Sequence, residues 1–408
     1  MTTVLPVESR RKIFGVNVNV FFLGIVSLLT DVSSEMIFTL MPLFLSNVLG
    51  VGTTIIGFVA GLTESTDAIF KIFSGWFSDK LGKRKFLAVI GYSLSTVAKP
   101  FMYLASSWGT VLAVRFSDRV GKGIRGAPRD ALVADSLTAD QMGRGFGLHR
   151  MMDTLGATLG LMLAAVIIYS VQGGGIDLSL PAYRWLIIVG TVPAVLAVLV
   201  LLTLVHESGS RPANKGNQGV FNTRGLKNGL SSRFFMFLSI MAVFTLGNSS
   251  DFFVILRAQN LGVPLIQVTL MLVLLNVVYT VVSLPAGILS DNLGRTRVMA
   301  LGWVIYALTY LGFAVVTSIW QVWFLFAIYG VYYGLIEAVG RAYVADLVSV
   351  EKRGTAYGLY HGVIGIALFP ASVIAGWLWS AVSPAATFYF GAALAFLAML
   401  GMVVLMRK

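Results

Sequence analysis

The sequence predicts an all-α membrane protein: twelve transmembrane helices in two pseudo-symmetric six-helix bundles, with both termini cytoplasmic. Three observations lead there. Of the 408 residues 57% are hydrophobic and only 12% are charged, and the mean hydropathy of +0.84 is far above what a soluble domain of this length carries. Twelve windows of about 20 apolar residues, each enough to cross a bilayer, are bounded by charges or turn residues. The first six windows are echoed by the last six.

The windows fall near 15-46, 53-79, 85-106, 109-136, 143-170 and 184-205, and then near 234-259, 264-290, 296-317, 319-347, 354-380 and 384-405. Arg10, Arg11 and Lys12 run directly into the first window with no small-residue cleavage site between, which reads as an uncleaved first helix. The polar stretch HESGSRPANKGNQGVFNTRGLKNGLSSR separates the two sets, so the domains expected are a bundle at 1-205, a cytoplasmic linker at 206-233 and a bundle at 234-408. Basic residues gather in the connections after even-numbered windows: Lys80, Lys83, Arg84 and Lys85, then Arg144, Arg211, Lys215, Arg224 and Lys227, then Arg295, Arg297, Lys352 and Arg353, and finally Arg407 and Lys408. The opposite connections offer little beyond Asp177, Arg184 and Arg257. By the positive-inside rule the basic side is cytoplasmic.

The internal repeat is legible in words of sequence. GWFSDKLGKRK at 75-85 returns as GILSDNLGRTR at 287-297, and ALVAD at 131-135 returns as AYVAD at 342-346. Ser33, Ser34 and Glu35 are matched by Ser249, Ser250 and Asp251, and Gly147-Leu148 by Gly358-Leu359. Parallel six-helix repeats imply an axis along the membrane normal and a site between the halves.

The fourth window carries the most informative stretch, RFSDRVGKGIRGAPRDALVAD at 115-135. Wound at about 100° per residue, Arg115, Arg119, Lys122, Arg125 and Arg129 fall within an arc of roughly 120°. A charge at bilayer depth costs at least about 2.5 kcal/mol, so this stripe faces a cavity or other charges and not lipid. An anion-binding wall and an ion-pair network holding helices together are the two readings. Acids to pair with are present: Asp31 and Glu35 one turn apart in the first window, and Glu64 and Asp67 with Lys71 in the second. Lys99 stands before Pro100 in the third window, and His149, Arg150 and Asp153 in the fifth. The second half holds fewer, chiefly Asp251, Arg257, Glu337 and Arg341.

The twelve-window repeat, the GWFSDKLGKRK loop and its weaker copy are similar to the major facilitator superfamily over essentially the whole chain. The charged GKGIRGAPRDALVAD window resembles a bacterial and archaeal branch of it. Gly75, Asp79, Gly82, Lys83 and Arg84 match the superfamily's cytoplasmic loop signature. The resemblance implies that Asp79 and Arg84, with Asp291 and Arg295 in the second copy, act as gate residues. Arg115 stands where the superfamily's fourth-helix arginine stands, which implies a part in proton coupling, although Arg119 replaces the glycine found beside it. In the fifth window Gly147, Gly156 and Gly160 keep the antiporter spacing, while Leu161 replaces its proline and Ala164-Ala165 its paired glycines.

The function expected is secondary active transport, proton-coupled, of a small organic anion by alternating access through a central cavity. Arg119, Lys122, Arg125, Lys71, Lys99, Glu337, Arg341 and Tyr333 are the candidate substrate-binding residues. Glu35, Asp31, Arg115, Asp67 and Asp251 are the candidates for proton coupling, because an acid alternating between a cation and water changes its proton affinity. Static pairing is the competing role for Asp31, Glu35 and the Glu337–Arg341 pair. Export of amphipathic drugs or metal-chelating metabolites is a second function, and a non-transporting sensor or lipid scramblase a third. The partners expected are an anionic small molecule, protons and the bilayer, with one chain acting alone in a prokaryotic cytoplasmic membrane.

An enzyme is not expected, since no nucleophile–base set or metal triad emerges. No cofactor or metal is expected either: His149, His206 and His361 are scattered and there is no cysteine. The net charge of +12 is dispersed between helices, which does not suit nucleic acid. Gly121, Gly123 and Gly126 spell a dinucleotide-binding pattern, but no strand precedes them, and close helix approach is their expected role. Tyr329, Tyr332 and Tyr333 are expected to line the cavity.

Overall fold

The computed structural model describes residues 12-13, 16-81, 83-137, 142-207, 230-348 and 353-407. The side chains of Asp79 and Asp291, two of the expected gate residues, and 208-229, most of the expected linker, lie outside the described residues. The first bundle's helices are α1 (Val18–Phe38, continued by Met41–Leu43 and a π-helical turn at Phe44–Val48), α2 (Thr53–Leu81), α3 (Arg84–Ala98, continued by a 3-10 turn at Lys99–Leu104), α4 (Trp108–Asp135), α5 (Met142–Gln172) and α6 (Leu180–Thr203). The second six are α7 (Ser232–Gly247, continued by Phe252–Asn260), α8 (Leu265–Leu293), α9 (Arg295–Val315), α10 (Ile319–Asp346), α11 (Arg353–Ala381) and α12 (Pro384–Arg407). Ten of these segments are long and apolar enough to cross a membrane. The other two, α2 and α4, are the helices in which charge is most concentrated.

Serine caps start several of them. Ser107 accepts from the Thr110 amide, Ser179 from Ala182 and Ser231 from Phe234, each filling one of the donors a helix start leaves open. At α3 the cap comes from far along the chain: the Glu207 carboxylate accepts from the Arg84 amide at 3.0 Å and the Lys85 amide at 2.9 Å.

Three expected helices are not continuous. The first window breaks after Phe38, with Pro42 opening the short turn that follows. The third passes into 3-10 geometry at Lys99, before Pro100. The seventh breaks between Gly247 and Phe252, because the serines there offer the backbone other partners. The Ser250 amide donates to the Ser372 hydroxyl at 3.2 Å, and the Ser250 hydroxyl donates to Glu64 at 2.8 Å.

The packing repeats as the sequence does. α1 packs on α5 and α6, α2 on α4, and α3 on α4 and α6; six helices later, α7 packs on α11 and α12, α8 on α10, and α9 on α10 and α12. Between the halves the main contacts are α2 with α11 and α5 with α8, each the counterpart of the other. Two glycine crossings make the approach possible. A Cβ on Gly121 would lie 2.6 Å from the Gly91 carbonyl oxygen, joining α4 to α3, and one on Gly57 would lie 2.2 Å from the Ser372 carbonyl oxygen, joining α2 to α11. The glycine triplet of α4 is therefore a packing surface, with a Gly123 Cβ also meeting Phe70 at 2.4 Å.

Candidate functional site: a charged cavity between the halves

A cavity of about 320 Å³ opens between the two sets of six. The first half contributes Asp31, Glu35, Glu64, Arg115, Asp118, Arg119 and Lys122 to its lining, and the second half contributes Asp251, Asn276, Tyr279, Tyr329, Tyr333 and Glu337. Phe38, Leu161, Phe252, Ile255, Leu272 and Phe326 supply apolar wall.

The cations of α4 differ in what holds them. Arg115 is buried, donates to Asp118 at 3.1 Å and stacks over the Phe38 ring at 4.2 Å. Asp118 also accepts from Ser95, which ties this pair to α3. Arg119 and Lys122 line the cavity with no hydrogen-bond or ion-pair partner among the described residues, and the Arg119 Nε is buried without one. Arg125 turns the other way, its guanidinium 4.4 Å over the Tyr92 ring. Arg129 donates to Asp130 at 2.8 Å and to the Ser27 hydroxyl at 3.2 Å. One stripe thus divides by position into paired, stacked and cavity-facing cations.

The acids divide in the same way. Glu35 accepts from Thr39, while Asp31 lines the cavity without a hydrogen bond or ion pair among the described residues. Asp251 sits at the break in α7 and accepts from Tyr329 at 2.7 Å and Tyr333 at 2.8 Å. Behind these two lies a stack of tyrosines, with Tyr306 on Tyr310 at 4.1 Å and Tyr329 on Tyr332 at 5.6 Å. Glu337 accepts from Arg150 at 3.0 Å, from Arg341 at 2.8 Å and from Tyr279.

Of the residues expected to touch substrate, Arg119, Lys122, Tyr333 and Glu337 line the cavity, and Lys71, Lys99, Arg125 and Arg341 do not. Lys99 is wholly buried and donates to Ser33 at 2.8 Å and Ser34 at 3.1 Å, so it braces α1 from behind the wall. Lys71 pairs with Asp67 at 2.7 Å, one turn away on the same helix and also off the wall. Tyr332, expected in the lining, is buried in the tyrosine stack instead. Of the five expected in proton coupling, Asp31, Glu35, Arg115 and Asp251 line the cavity, and Asp67, paired with Lys71, does not. Arg84 donates to Asp135, and Arg295 donates to Asp346 at 2.6 Å, so in each half the loop arginine meets the aspartate that ends the fourth helix.

Asp118, Asn276 and Tyr279 line the cavity without an expected part in it, Glu64, expected only as a pairing acid, lines it too, and Arg150 joins the halves next to it. In α8 there was a signal: Asn276, Tyr279, Thr280 and Ser283 form one polar helix face within an otherwise apolar run. For Arg150 no local signal exists, because its partner lies 187 residues away.

Polar contacts close the opposite side, which has few basic residues. Gln259 donates to Asn47 at 2.8 Å and to Asp177 at 3.0 Å, and Asn47 donates to Asp177 at 3.1 Å. Thr54 and Ser380 meet at 2.7 Å where α2 begins and α11 ends.

Comparison with known proteins agrees with this architecture. The sequence model of the Major Facilitator Superfamily matches residues 23-256 and again 234-408. An uncharacterized MFS-type transporter of Methanocaldococcus jannaschii is 38% identical over 383 residues, covering 92% of each chain. The multidrug resistance protein MdtH of Photorhabdus laumondii is 29% identical over 179 residues, 40% of this chain and 44% of that protein. The nucleoside transporter NupG shares the fold at a TM-score of 0.79 and 14% identity, covering 95% of this chain and 99% of that one. With each half matched by the superfamily's model and one relative aligned over nine tenths of both lengths, the chain belongs to the Major Facilitator Superfamily, a family of transporters and not of enzymes.

Proposed function

We propose that the protein is a proton-coupled secondary transporter that moves a small organic solute bearing negative charge, by alternating access to the cavity between its halves. The observation that supports this reading is the pair Arg119 and Lys122, two cations in the cavity wall with no hydrogen-bond or ion-pair partner among the described residues. The volume of about 320 Å³ suits a small solute. Asp31, Glu35 and Asp251, beside Arg115, are the groups through which a proton would be coupled. Arg84 and Arg295, with Asp79 and Asp291, belong to the inner gate. The twelve helices each span the cytoplasmic membrane of a prokaryote, as a bundle at 1-205, a linker at 206-233 and a bundle at 234-408, and both termini are cytoplasmic. One chain encloses the cavity and acts alone.

The test is a thermal-shift screen of the purified protein against carboxylates, amines and neutral drugs, since a ligand at 100 times its Kd stabilises by about 2.7 kcal/mol. Carboxylate-bearing compounds should shift the protein, and Arg119→Gln should abolish the shift. Stabilisation by amines alone sinks the reading. Reporter fusions after Lys85 and after Lys408 should both read cytoplasmic.

Export of amphipathic drugs is the second reading, favoured by the similarity to MdtH and by the aromatic and aliphatic side chains in the lining. It predicts stabilisation by lipophilic cations that survives Arg119→Gln.

A further inference from the structure

The cavity holds more negative charge than an anion carrier needs. Its lining has three cations, Arg115, Arg119 and Lys122, against six carboxylates. All three cations come from α4 of the first half, and the second half's wall contributes two acids, three tyrosines and no cation. The two walls are therefore electrically unlike.

Within the second wall the acids are not equivalent. Glu337 is already met by the guanidinium groups of Arg150 and Arg341. Asp251 is met only by the hydroxyls of Tyr329 and Tyr333, and no cation pairs with it among the described residues. Hydroxyl donors hold a carboxylate in place without balancing its charge. Tyr329, Tyr333 and Phe252 line the cavity together with that carboxylate, and an unbalanced carboxylate beside aromatic side chains is a setting that attracts an ammonium group. Across the cavity, Arg119 and Lys122 have no hydrogen-bond or ion-pair partner among the described residues, with Glu64 acting on Arg119 and Asp67 and Asp31 on Lys122 only at longer range.

We infer that the solute is dipolar, with an acidic group held by Arg119 and Lys122 and an ammonium group held by Asp251 within its tyrosine cage, which places it among amino acids, short peptides and related zwitterions. The inference rests on the anion reading above and extends it: a solute with only negative charge would bring like charge against Asp251, Glu35 and Glu64, whereas a dipolar one satisfies both walls at once.

The experiment uses the full-length purified protein and a matched set of probes: glycylglycine, alanylalanine and the ω-amino acids from 4-aminobutanoate to 8-aminooctanoate. Each is compared with its N-acetyl derivative, which lacks the ammonium charge, and its amide, which lacks the carboxylate. Thermal shift identifies binders and calorimetry measures Kd. At least one zwitterion should bind, with both derivatives weakened at least tenfold. Asp251→Asn should weaken that zwitterion and erase its advantage over the N-acetyl form, and Arg119→Gln should erase its advantage over the amide. N-acetyl acids that bind as tightly as their parents, or full zwitterion binding in Asp251→Asn, would overturn the dipolar inference while leaving the anion reading in place. If only amides bind, both fall. A set in which no zwitterion binds overturns the inference as well.

Discussion

The Arg150 guanidinium on α5 lies 3.0 Å from the Glu337 carboxylate on α10, and so ties the first half of the molecule to the second on the basic side of the cavity. Tyr279 of α8 donates to the same carboxylate, and Arg341 shares it. A bond across the halves at this point must open for the cavity to reach that side. Both partners are substantially exposed, and such a pair contributes up to about 1 kcal/mol. Arg150→Gln should therefore raise the accessibility of the cavity from the basic side by no more than about fivefold and leave folding intact. The chain has no cysteine, so a single cysteine introduced in the cavity wall reports this directly by its rate of thiol labelling. An unchanged rate would remove Arg150 from the gate.

On the opposite side the closure is made of neutral and singly charged hydrogen bonds around Gln259. Gln259→Leu removes its donations to Asn47, Asp177 and the Ile176 carbonyl oxygen, each worth about 0.5 to 1.5 kcal/mol net. Labelling of the same cavity cysteine by a membrane-impermeant reagent added on that side of the membrane should rise, with little loss of thermal stability. A fall in labelling from that side contradicts the assignment.

Lys99 separates bracing from binding. Its ammonium is fully buried, its direct partners are two serine hydroxyls, and it does not line the cavity. An apolar side chain of similar volume removes the cost of burying the ammonium but leaves the Ser33 and Ser34 hydroxyls without their donor, a loss of about 1 to 3 kcal/mol for each buried group left unmet. Lys99→Met should keep ligand binding while lowering the melting temperature. Loss of binding in a folded variant would restore Lys99 to the substrate site.

The α3–α4 crossing should tolerate no side chain. Gly121→Ala drives a Cβ to 2.6 Å from the Gly91 carbonyl oxygen and 2.9 Å from the Ser95 amide nitrogen, both backbone atoms that cannot swing aside. Overpacking of this kind costs about 1 to 3 kcal/mol. A lowered melting temperature is expected, together with weaker ligand binding, since Ser95 holds Asp118 and Asp118 holds Arg115.

Sequence alone reached the helices, because each must be about 20 apolar residues long, and it reached the repeat, because the words GWFSDKLGKRK and ALVAD recur in order. It also located the charge of α4, since a stripe of cations at bilayer depth cannot face lipid. It could not say which member of the stripe does what. Rotation by 100° per residue puts Arg119, Lys122 and Arg125 on one side of a helix, but the direction that side faces is set where Gly121 meets Gly91 and Gly123 meets Phe70. That contact sends Arg125 onto Tyr92 and leaves Arg119 and Lys122 in the cavity. The same holds for two lysines of the first half: Lys99 and Lys122 look alike in a linear chain, and only the neighbours that packing supplies make one a buried brace and the other a cation of the cavity wall. The pairing of Arg150 with Glu337 and of Glu64 with Ser250 lay beyond any local pattern, because partners 187 and 186 residues apart are brought together only by the docking of one half against the other.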